Sequence, residues 1–456
     1  MQTTDAIKES AKRIGSSVTF KLITVCVLIL ALLIPTSMVK ALIKERKIRK
    51  QGVINEINYK WGKAQTVTGP VISVPYLKHI EGKDQKTKTV TRYFHLLPDT
   101  VDIKSQITPA VRYRGIYKAI LYNATLSISG VFPRIPIEDL RIAPENIEWS
   151  GAFISLGIAD MRGIKDRIET TFDGTNLSME PGVETADVIK SGVSAKIRIN
   201  DTNQSFPFHL ALNLNGSQQI HFAPVGKETT VAAKSTWRDP SFGGAFLPAE
   251  RKVSEKGFSA TWKILHLNRN YPQHWKGAGQ NLTPSTFGVK LFHPVDIYQK
   301  SMRTAKYALM FIVFTFLAFL ISEVMLRLRV HPVQYLLIGL AIIIFYTLLL
   351  SISEQTNFGA AYLISAGAVI CLITGYAKAI LKKKIVTLMV GGVLVILYAY
   401  LYILLQLEDY ALLMGSIGLF AVLSVIMYLT RRIDWYAAPQ EIRESHPGQP
   451  LNAPNR

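Results

Sequence analysis

The sequence predicts an α+β membrane protein with an N-terminal transmembrane helix, a large β-rich, sandwich-like extracytoplasmic domain and a C-terminal five-helix transmembrane bundle. Three observations predict this class. Hydrophobic residues make up 49% of the 456-residue chain and are concentrated near its start and after Lys306. Charged residues make up 18%, against roughly 25% in soluble proteins. The polar middle of the chain contains short alternating segments that are typical of β-strands.

Six apolar segments are long enough to cross a membrane, since about 20 mostly apolar residues cross a hydrocarbon core of roughly 30 Å. Short connections join the last five, which favours antiparallel neighbours in one bundle. The predicted spans are residues 20–39, 307–326, 333–352, 358–377, 385–405 and 410–429. These spans divide the chain into four regions: 1–39, 40–303, 304–436 and a cytoplasmic tail, 437–456, that is predicted to be disordered.

The first apolar segment has an alternative interpretation as a cleaved signal peptide, because Lys8, Lys12 and Arg13 precede it. The apolar run is long for a signal peptide, and a basic pattern with helical spacing continues to about Tyr59. We therefore predict an uncleaved anchor whose helix extends beyond the membrane.

The distribution of basic residues predicts the orientation, because cytoplasmic loops are rich in Lys and Arg. Basic and acidic loops alternate after the second span, so both termini are predicted to be cytoplasmic and the large domain extracytoplasmic. The basic run at 40–50 would then lie on the extracytoplasmic side, against the rule, but long translocated domains are less bound by it. The basic loop residues are Arg327, Arg329, Lys378, Lys382, Lys383, Lys384, Arg431 and Arg432, and the intervening turns carry Glu354, Glu408 and Asp409.

The segment 40–303 is predicted to fold on a β core without disulfides, because Cys26 and Cys371 both lie in apolar spans. Its β-branched and aromatic segments alternate with Gly, Pro, Asn and Asp, which indicates a sandwich of strands. The segments that predict strands most clearly are 71–76, 91–97, 119–129, 209–214 and 229–237.

No motif for catalysis or for metal binding is present with its partners. The chain has no HExxH, CxxC, GxSxG or Walker A sequence. We therefore predict a protein that is not an enzyme and holds no cofactor. The net charge of +20 is explained by basic loops, and without a nucleic-acid-binding motif we predict no nucleic-acid partner.

Ionisable residues in the apolar segments are the better candidates for a functional site. Glu323 either pairs with Arg327 one turn on at the interface or makes a buried polar contact within the bundle. Glu354 is a second candidate for a polar contact at the bundle. The loop 240–248 offers Phe242, Phe246 and Leu247, which either fold onto the domain core or contact lipid or a partner.

Several long strings resemble the bacterial CreD family of inner-membrane, cell envelope integrity proteins, across nearly the whole chain. They are PSFGGAFLP at 240–248, GFSATW at 257–262, PVDIYQ at 294–299, HPVQYLL at 331–337, EDYALL at 408–413 and TRRIDWY at 430–436.

The resemblance implies an inner-membrane protein tied to the Cre two-component system, with roles in envelope homeostasis, β-lactam response and tolerance to certain colicins. It transfers no catalytic residue. We expect membrane lipids, an envelope protein or a second copy of the chain as partners, and a periplasmic β-rich domain. A transporter or lipid-handling protein that uses the bundle, and a membrane hydrolase with an unrecognised site, remain alternatives.

Overall fold

The computed structural model describes residues 18–81, 87–291, 296–326, 330–381, 383–407 and 410–431. The chain divides into two compact units. Arg49–Val295 form the β unit, and Met1–Ile48 with Asp296–Arg456 form the membrane unit. The predicted disordered tail, 437–456, lies outside the described residues.

Helix α1, Val18–Trp61, is a single helix of 44 residues. This confirms the prediction that the first apolar segment continues into a helix beyond the predicted span. Gly62 follows it at φ 142°, where a Cβ atom would lie 2.7 Å from the Asn215 carbonyl oxygen, so this turn requires glycine. The buried residues of its first half share one face at helical spacing, and they are Val25, Leu32, Thr36, Val39 and Ile43.

Two sheets make up the β unit. The nine-stranded sheet has the order β13-β17-β11-β1-β5-β9-β8, with β2 paired to β1 and β16 paired to β2. The eight-stranded sheet has the order β14-β15-β12-β3-β4-β10-β6-β7. The strands are β1 Gln65–Glu81, β2 Thr87–Leu96, β3 Thr100–Arg114, β4 Tyr117–Phe132, β5 Phe153–Ile158, β6 Glu169–Phe172, β7 Thr175–Ser178, β8 Glu180–Pro181, β9 Gly192–Lys196, β10 Phe206–Ser217, β11 Gln219–Phe222, β12 Glu228–Ser235, β13 Pro240–Gly244, β14 Glu250–Ser254, β15 Gly257–Leu265, β16 His274–Lys276 and β17 Phe287–Leu291.

The two sheets share one hydrophobic core. Strand β4 shows why, because its buried and more exposed residues alternate and a strand points successive side chains to opposite faces. Trp262, in β15, is fully buried at the centre of an aromatic group with Phe242 and Phe287. The five strand segments predicted from the sequence all overlap observed strands.

The membrane unit contains α1 up to Ile48 and a series of C-terminal helices. Four helices of the described chain are long and apolar enough to cross a membrane, or five if the helices Ile297–Lys306 and Ala308–Glu323, bent by 43° relative to each other, form one span. The predicted sixth span, residues 410–429, overlaps the 20-residue helix Ala411–Thr430, and the number of spans stays a prediction. The short helix α2, Ile137–Leu140, belongs to the β unit. The helices of the membrane unit after α1 are α3 Ile297–Lys306, α4 Ala308–Leu326, α5 Pro332–Gln355, α6 Phe358–Leu381, α7 Lys384–Gln406 and α8 Ala411–Thr430.

Local chemistry explains the start of α5. Pro332 occupies its first turn, where the missing N–H has no intrahelical partner to lose. His331 caps the helix, since its Nδ1 accepts a hydrogen bond from the Val333 amide at 3.3 Å, and Gln334 accepts one from the His331 amide at 3.0 Å. The predicted architecture of N-terminal apolar helix, two-sheet β domain and helical bundle is confirmed.

Candidate functional site

A buried carboxylate joins the first helix to the C-terminal helices of the membrane unit. Glu323, in α4, is 2% exposed. Its Oε1 accepts hydrogen bonds from Lys21 Nζ at 2.6 Å and from the Val330 amide at 3.2 Å. Its Oε2 accepts a hydrogen bond from the Tyr335 hydroxyl at 2.9 Å. A carboxylate removed from water requires such partners, so we define Lys21, Glu323 and Tyr335 as the inner cluster.

This contact corresponds to one of the two alternatives for Glu323, a buried polar contact within the bundle. Arg327, the partner in the other alternative, lies outside the described residues, so that pairing stays a prediction. Tyr335 carries no signal in the sequence as a partner of Glu323. A signal for Lys21 existed, because Lys21 and Glu323 lie at the same predicted edge of their apolar segments.

A second cluster of the same composition involves the other end of α1. Glu354, near the end of α5, accepts a hydrogen bond from the Tyr298 hydroxyl at 2.9 Å through Oε1. Its Oε2 lies 3.9 Å from Arg46 Nη1. The Glu354 side chain is 10% exposed and that of Arg46 is 37% exposed. We define Arg46, Glu354 and Tyr298 as the outer cluster.

The two clusters lie about as far apart as the two surfaces of a bilayer. Lys21 and Arg46 are 25 residues apart on α1, which corresponds to about 38 Å along a helix. A bilayer with its headgroup layers is roughly 40–45 Å thick. Each cluster therefore pairs a basic residue of the first helix with a carboxylate of the C-terminal helices.

The first helix also packs closely against α5 between the clusters. A Cβ atom added to Gly339 would lie 2.2 Å from Leu32 Cδ1. Leu32 is 1% exposed. Small residues allow membrane helices to approach one another, so Gly339 provides the space that Leu32 fills.

The aromatic residues of the loop 240–248 pack inward. The Phe242 ring lies 5.6 Å from the ring of Phe258, and the Phe246 ring lies 6.0 Å from that of Phe287. The Trp262 indole donates a hydrogen bond to the Phe246 carbonyl at 3.3 Å. Leu247 is 72% exposed. The structure thus separates the three predicted contact residues, and Leu247 is the one that reaches solvent.

The β unit also contains a serine, a histidine and an aspartate in line. The Ser73 hydroxyl lies 2.9 Å from His95 Nδ1, and His95 Nε2 lies 3.4 Å from Asp187 Oδ2. Burial lowers the pKa of His95, and the hydrogen bond and charge of Asp187 oppose that shift. Ser73 is 2% exposed and His95 is 0% exposed. A nucleophile must reach its substrate, and these two residues lie inside the core.

This group could not be recognised from spacing, since its members are 22 and 92 residues apart. Ser73 and His95 face each other across paired strands β1 and β2. Within the described residues, no group of three or more His, Cys, Asp or Glu side chains could hold a metal ion.

Comparison with known proteins decides the family. Residues 17–436 match the family model described as "CreD: Inner membrane protein CreD". The chain is 32% identical over 420 residues to the inner membrane protein CreD of Escherichia coli (strain K12), covering 90% of this chain and 92% of that protein. The chain belongs to the CreD family.

Membership in the CreD family, together with the apolar helices, establishes a membrane protein and confirms the resemblance drawn from the sequence. Among solved structures, the chain is similar to an M1 zinc metallopeptidase from Deinococcus radiodurans, at 10% identity over 37% of this chain and 38% of that one, with a TM-score of 0.19. That likeness carries no functional argument.

Proposed function

We propose that this CreD-family chain supports the integrity of the cell envelope and the response to envelope stress, including β-lactams. In this proposal the β unit binds a lipid, an envelope component or a protein partner in the periplasm, and the membrane unit anchors it. The mechanism is binding without catalysis, and both termini lie in the cytoplasm.

The observation that carries the proposal is the construction of α1. One helix runs from Val18 to Trp61, and it pairs with carboxylates of the membrane unit through Lys21 and Arg46. A helix held at both ends suits a permanent anchor. The Lys21–Glu323 pair argues against removal of the first segment as a signal peptide, because the removal would leave the buried Glu323 without its cation.

The buried Ser73–His95 pair supports binding over catalysis, since neither side chain is accessible to a substrate. The same pair is the one observation that favours a membrane hydrolase as a second candidate. In a hydrolase, Ser73 would attack a carbonyl while His95 accepts its proton. A loop opening at Asp187, which is 26% exposed, would be required first.

Complementation separates the two candidates. In cells that lack their own copy of the chain, lysis under a β-lactam and under mild detergent would be measured with the wild type, Ser73→Ala and Lys21→Met. We expect the wild type and Ser73→Ala to restore resistance to lysis. We expect Lys21→Met to fail, because it leaves the buried Glu323 unpaired. Immunoblots of membranes would confirm the amount of each variant.

Two results would contradict the proposal. A Ser73→Ala chain that is present at normal levels and restores nothing would favour the hydrolase. A wild-type chain that restores nothing would refute the role in envelope integrity.

The orientation has its own test. The two native cysteines, Cys26 and Cys371, would be replaced by alanine, and a single cysteine would be placed at Thr175, which is exposed. An impermeant maleimide should label it in cells whose outer membrane alone is permeable. Labelling only after the inner membrane is opened would refute a periplasmic β unit.

A further inference from the structure

The hairpin formed by β3 and β4 extends beyond the core of the β unit. The strands pair up to Arg114 and Tyr117. In β3 the alternation of buried and more exposed residues ends at Ile107. Every residue from Val111 to Ile116 is exposed. These six residues, the hairpin tip, therefore contribute nothing to the sandwich core.

The hairpin lies along the last part of α1, and its direction can be determined from three contacts within the β unit. The Trp61 indole donates a hydrogen bond to the Tyr122 carbonyl at 3.2 Å. Seven residues earlier on the helix, Ile54 shares one buried cluster with Ala119 and Leu121. Close to the turn, Arg114 pairs with Glu56, five residues before Trp61, so the hairpin tip points along this part of the helix toward its N-terminal end.

Helix α1 runs unbroken from Val18 to Trp61, and its earlier residues form an apolar span. From Ala119 the hairpin continues for about 10 Å before the turn, at roughly 3.3 Å per residue.

The residues of the tip suit a lipid headgroup layer. Tyr113 is 65% exposed, Val111 38% and Ile116 37%. Tyrosine is enriched at membrane interfaces. The segment from Thr108 to Lys118 contains Arg112, Arg114 and Lys118 and no acidic residue.

The basic residues are held on aromatic and acidic neighbours and remain accessible. Lys118 Nζ lies 5.5 Å from the centre of the Tyr113 ring, and Arg112 lies 6.0 Å from that of Trp61. Clusters of Lys and Arg next to a membrane helix attract anionic lipids. Helix α1 itself carries a basic run at 40–50.

We propose that the tip of the β3–β4 hairpin binds anionic phospholipid headgroups at the surface of the bilayer from which α1 emerges. This inference deepens the proposed function, because it names one ligand of the β unit and the residues that contact it. An acidic protein partner is the competing occupant of the same surface.

The test uses the full chain, free of its native cysteines, with one fluorescent label at Tyr113→Cys. The matched control is Thr175→Cys, at the β6–β7 turn. This turn lies beside the far end of β4, since β6 pairs with β10 at Phe208 and β10 pairs with β4 at Phe132. The 15-residue separation along β4 corresponds to about 50 Å.

Each labelled chain would be reconstituted in vesicles of phosphatidylcholine containing about one third phosphatidylglycerol, with a nitroxide quencher on the lipid headgroup. We expect about twofold or stronger quenching at position 113 than at 175, because screened charge contacts act within roughly 10 Å at 0.1 M salt. In vesicles of phosphatidylcholine alone, or with Arg112→Gln and Lys118→Gln, quenching at 113 should fall toward the control.

Equal quenching at the two positions would overturn the proposal, and so would quenching at 113 that does not respond to lipid charge. A change in the fluorescence at 113 on addition of polyglutamate, without lipid quenching, would favour the acidic partner instead. The outcome is independent of the complementation assay. A chain that fails the vesicle test and restores envelope resistance disproves only the hairpin contact, and the reverse result disproves only the proposed function.

Discussion

The inner and outer clusters of the membrane unit have the same composition and very different surroundings. Each contains a glutamate, a basic residue of α1 and a tyrosine hydroxyl. In the inner cluster the carboxylate is 2% exposed and the cation lies at 2.6 Å. In the outer cluster the carboxylate is 10% exposed and its cation, itself 37% exposed, lies at 3.9 Å.

The difference indicates where an ion pair contributes most to stability. A buried carboxylate that loses its partner retains the full desolvation cost, whereas a partly exposed one can be solvated by water or headgroups. We therefore expect the inner cluster to hold α1 in place and the outer cluster to contribute little.

The largest effect is expected for Lys21→Met. It leaves Glu323 buried without a cation, which costs on the order of 3 kcal/mol of unfolding free energy. The measurement is thermal unfolding of the purified full chain in detergent. Lys47→Met is the matched control, because Lys47 is exposed on the same helix, and it should change stability by less than about 0.5 kcal/mol.

A double variant sharpens this result. Lys21→Met with Glu323→Leu removes both charges, and it should recover most of the lost stability because no buried charge remains. If Lys21→Met were no more harmful than Lys47→Met, the inner cluster would have no special role.

The two tyrosines test the comparison with smaller changes. Tyr335→Phe removes a hydrogen bond to a buried charge and should lower the unfolding free energy by about 2 kcal/mol. Tyr298→Phe removes a hydrogen bond to a better-solvated carboxylate and should lower it by about 1 kcal/mol. Both would be measured by the same unfolding assay. Equal losses of unfolding free energy in the two variants would show that burial of the carboxylate does not determine how much its hydrogen bond stabilises the chain.

The outer ion pair should be weak and sensitive to salt. Arg46→Met should cost less than about 1 kcal/mol. Raising the salt to 1 M, where the Debye length is roughly 3 Å, should remove the difference between this variant and the wild type. The cost of Lys21→Met should persist at the same salt. A salt-independent loss for Arg46→Met would contradict the solvated view of the outer cluster.

The sequence predicted the architecture well because membrane helices and strands of a β core have different hydrophobic patterns. Apolar length identifies membrane helices, as the agreement between the predicted segment 385–405 and the helix Lys384–Gln406 illustrates. Alternation identified strands such as β4. The continuation of α1 past the membrane was also predictable, since apolar positions such as Ile54 recur among charged ones at helical spacing.

The partners of the candidate residues were not predictable. Glu323 was found as an unusual charge, but Tyr335 is one aromatic residue among many in the apolar segments. Phe246 packs inward and Leu247 is exposed because Phe246 is the one that contacts Trp262, and the sequence does not show which of the two does so. Ser73 and His95 meet through strand register, which a sequence without alternation at that point does not specify.

The smallest effect on stability is expected for His95, a buried ionisable group of the β unit. Burial lowers its pKa below the ordinary value of 6.5, and Asp187 partly opposes this. The folded chain therefore keeps His95 neutral at a pH where the unfolded chain binds a proton. Stability should be fully present above about pH 6.5 and should fall as the pH drops from there toward the lower folded pKa.

The variant His95→Gln should reduce this pH dependence, and Asp187→Asn should increase it, because Asp187 favours the protonated ring. Thermal unfolding of the full chain between about pH 5 and pH 8 measures both, around the ordinary histidine pKa. His79→Gln is the control, since His79 is exposed on the neighbouring part of β1. A pH profile of His95→Gln that matches the wild type would mean that burial of this ring does not couple folding to protonation.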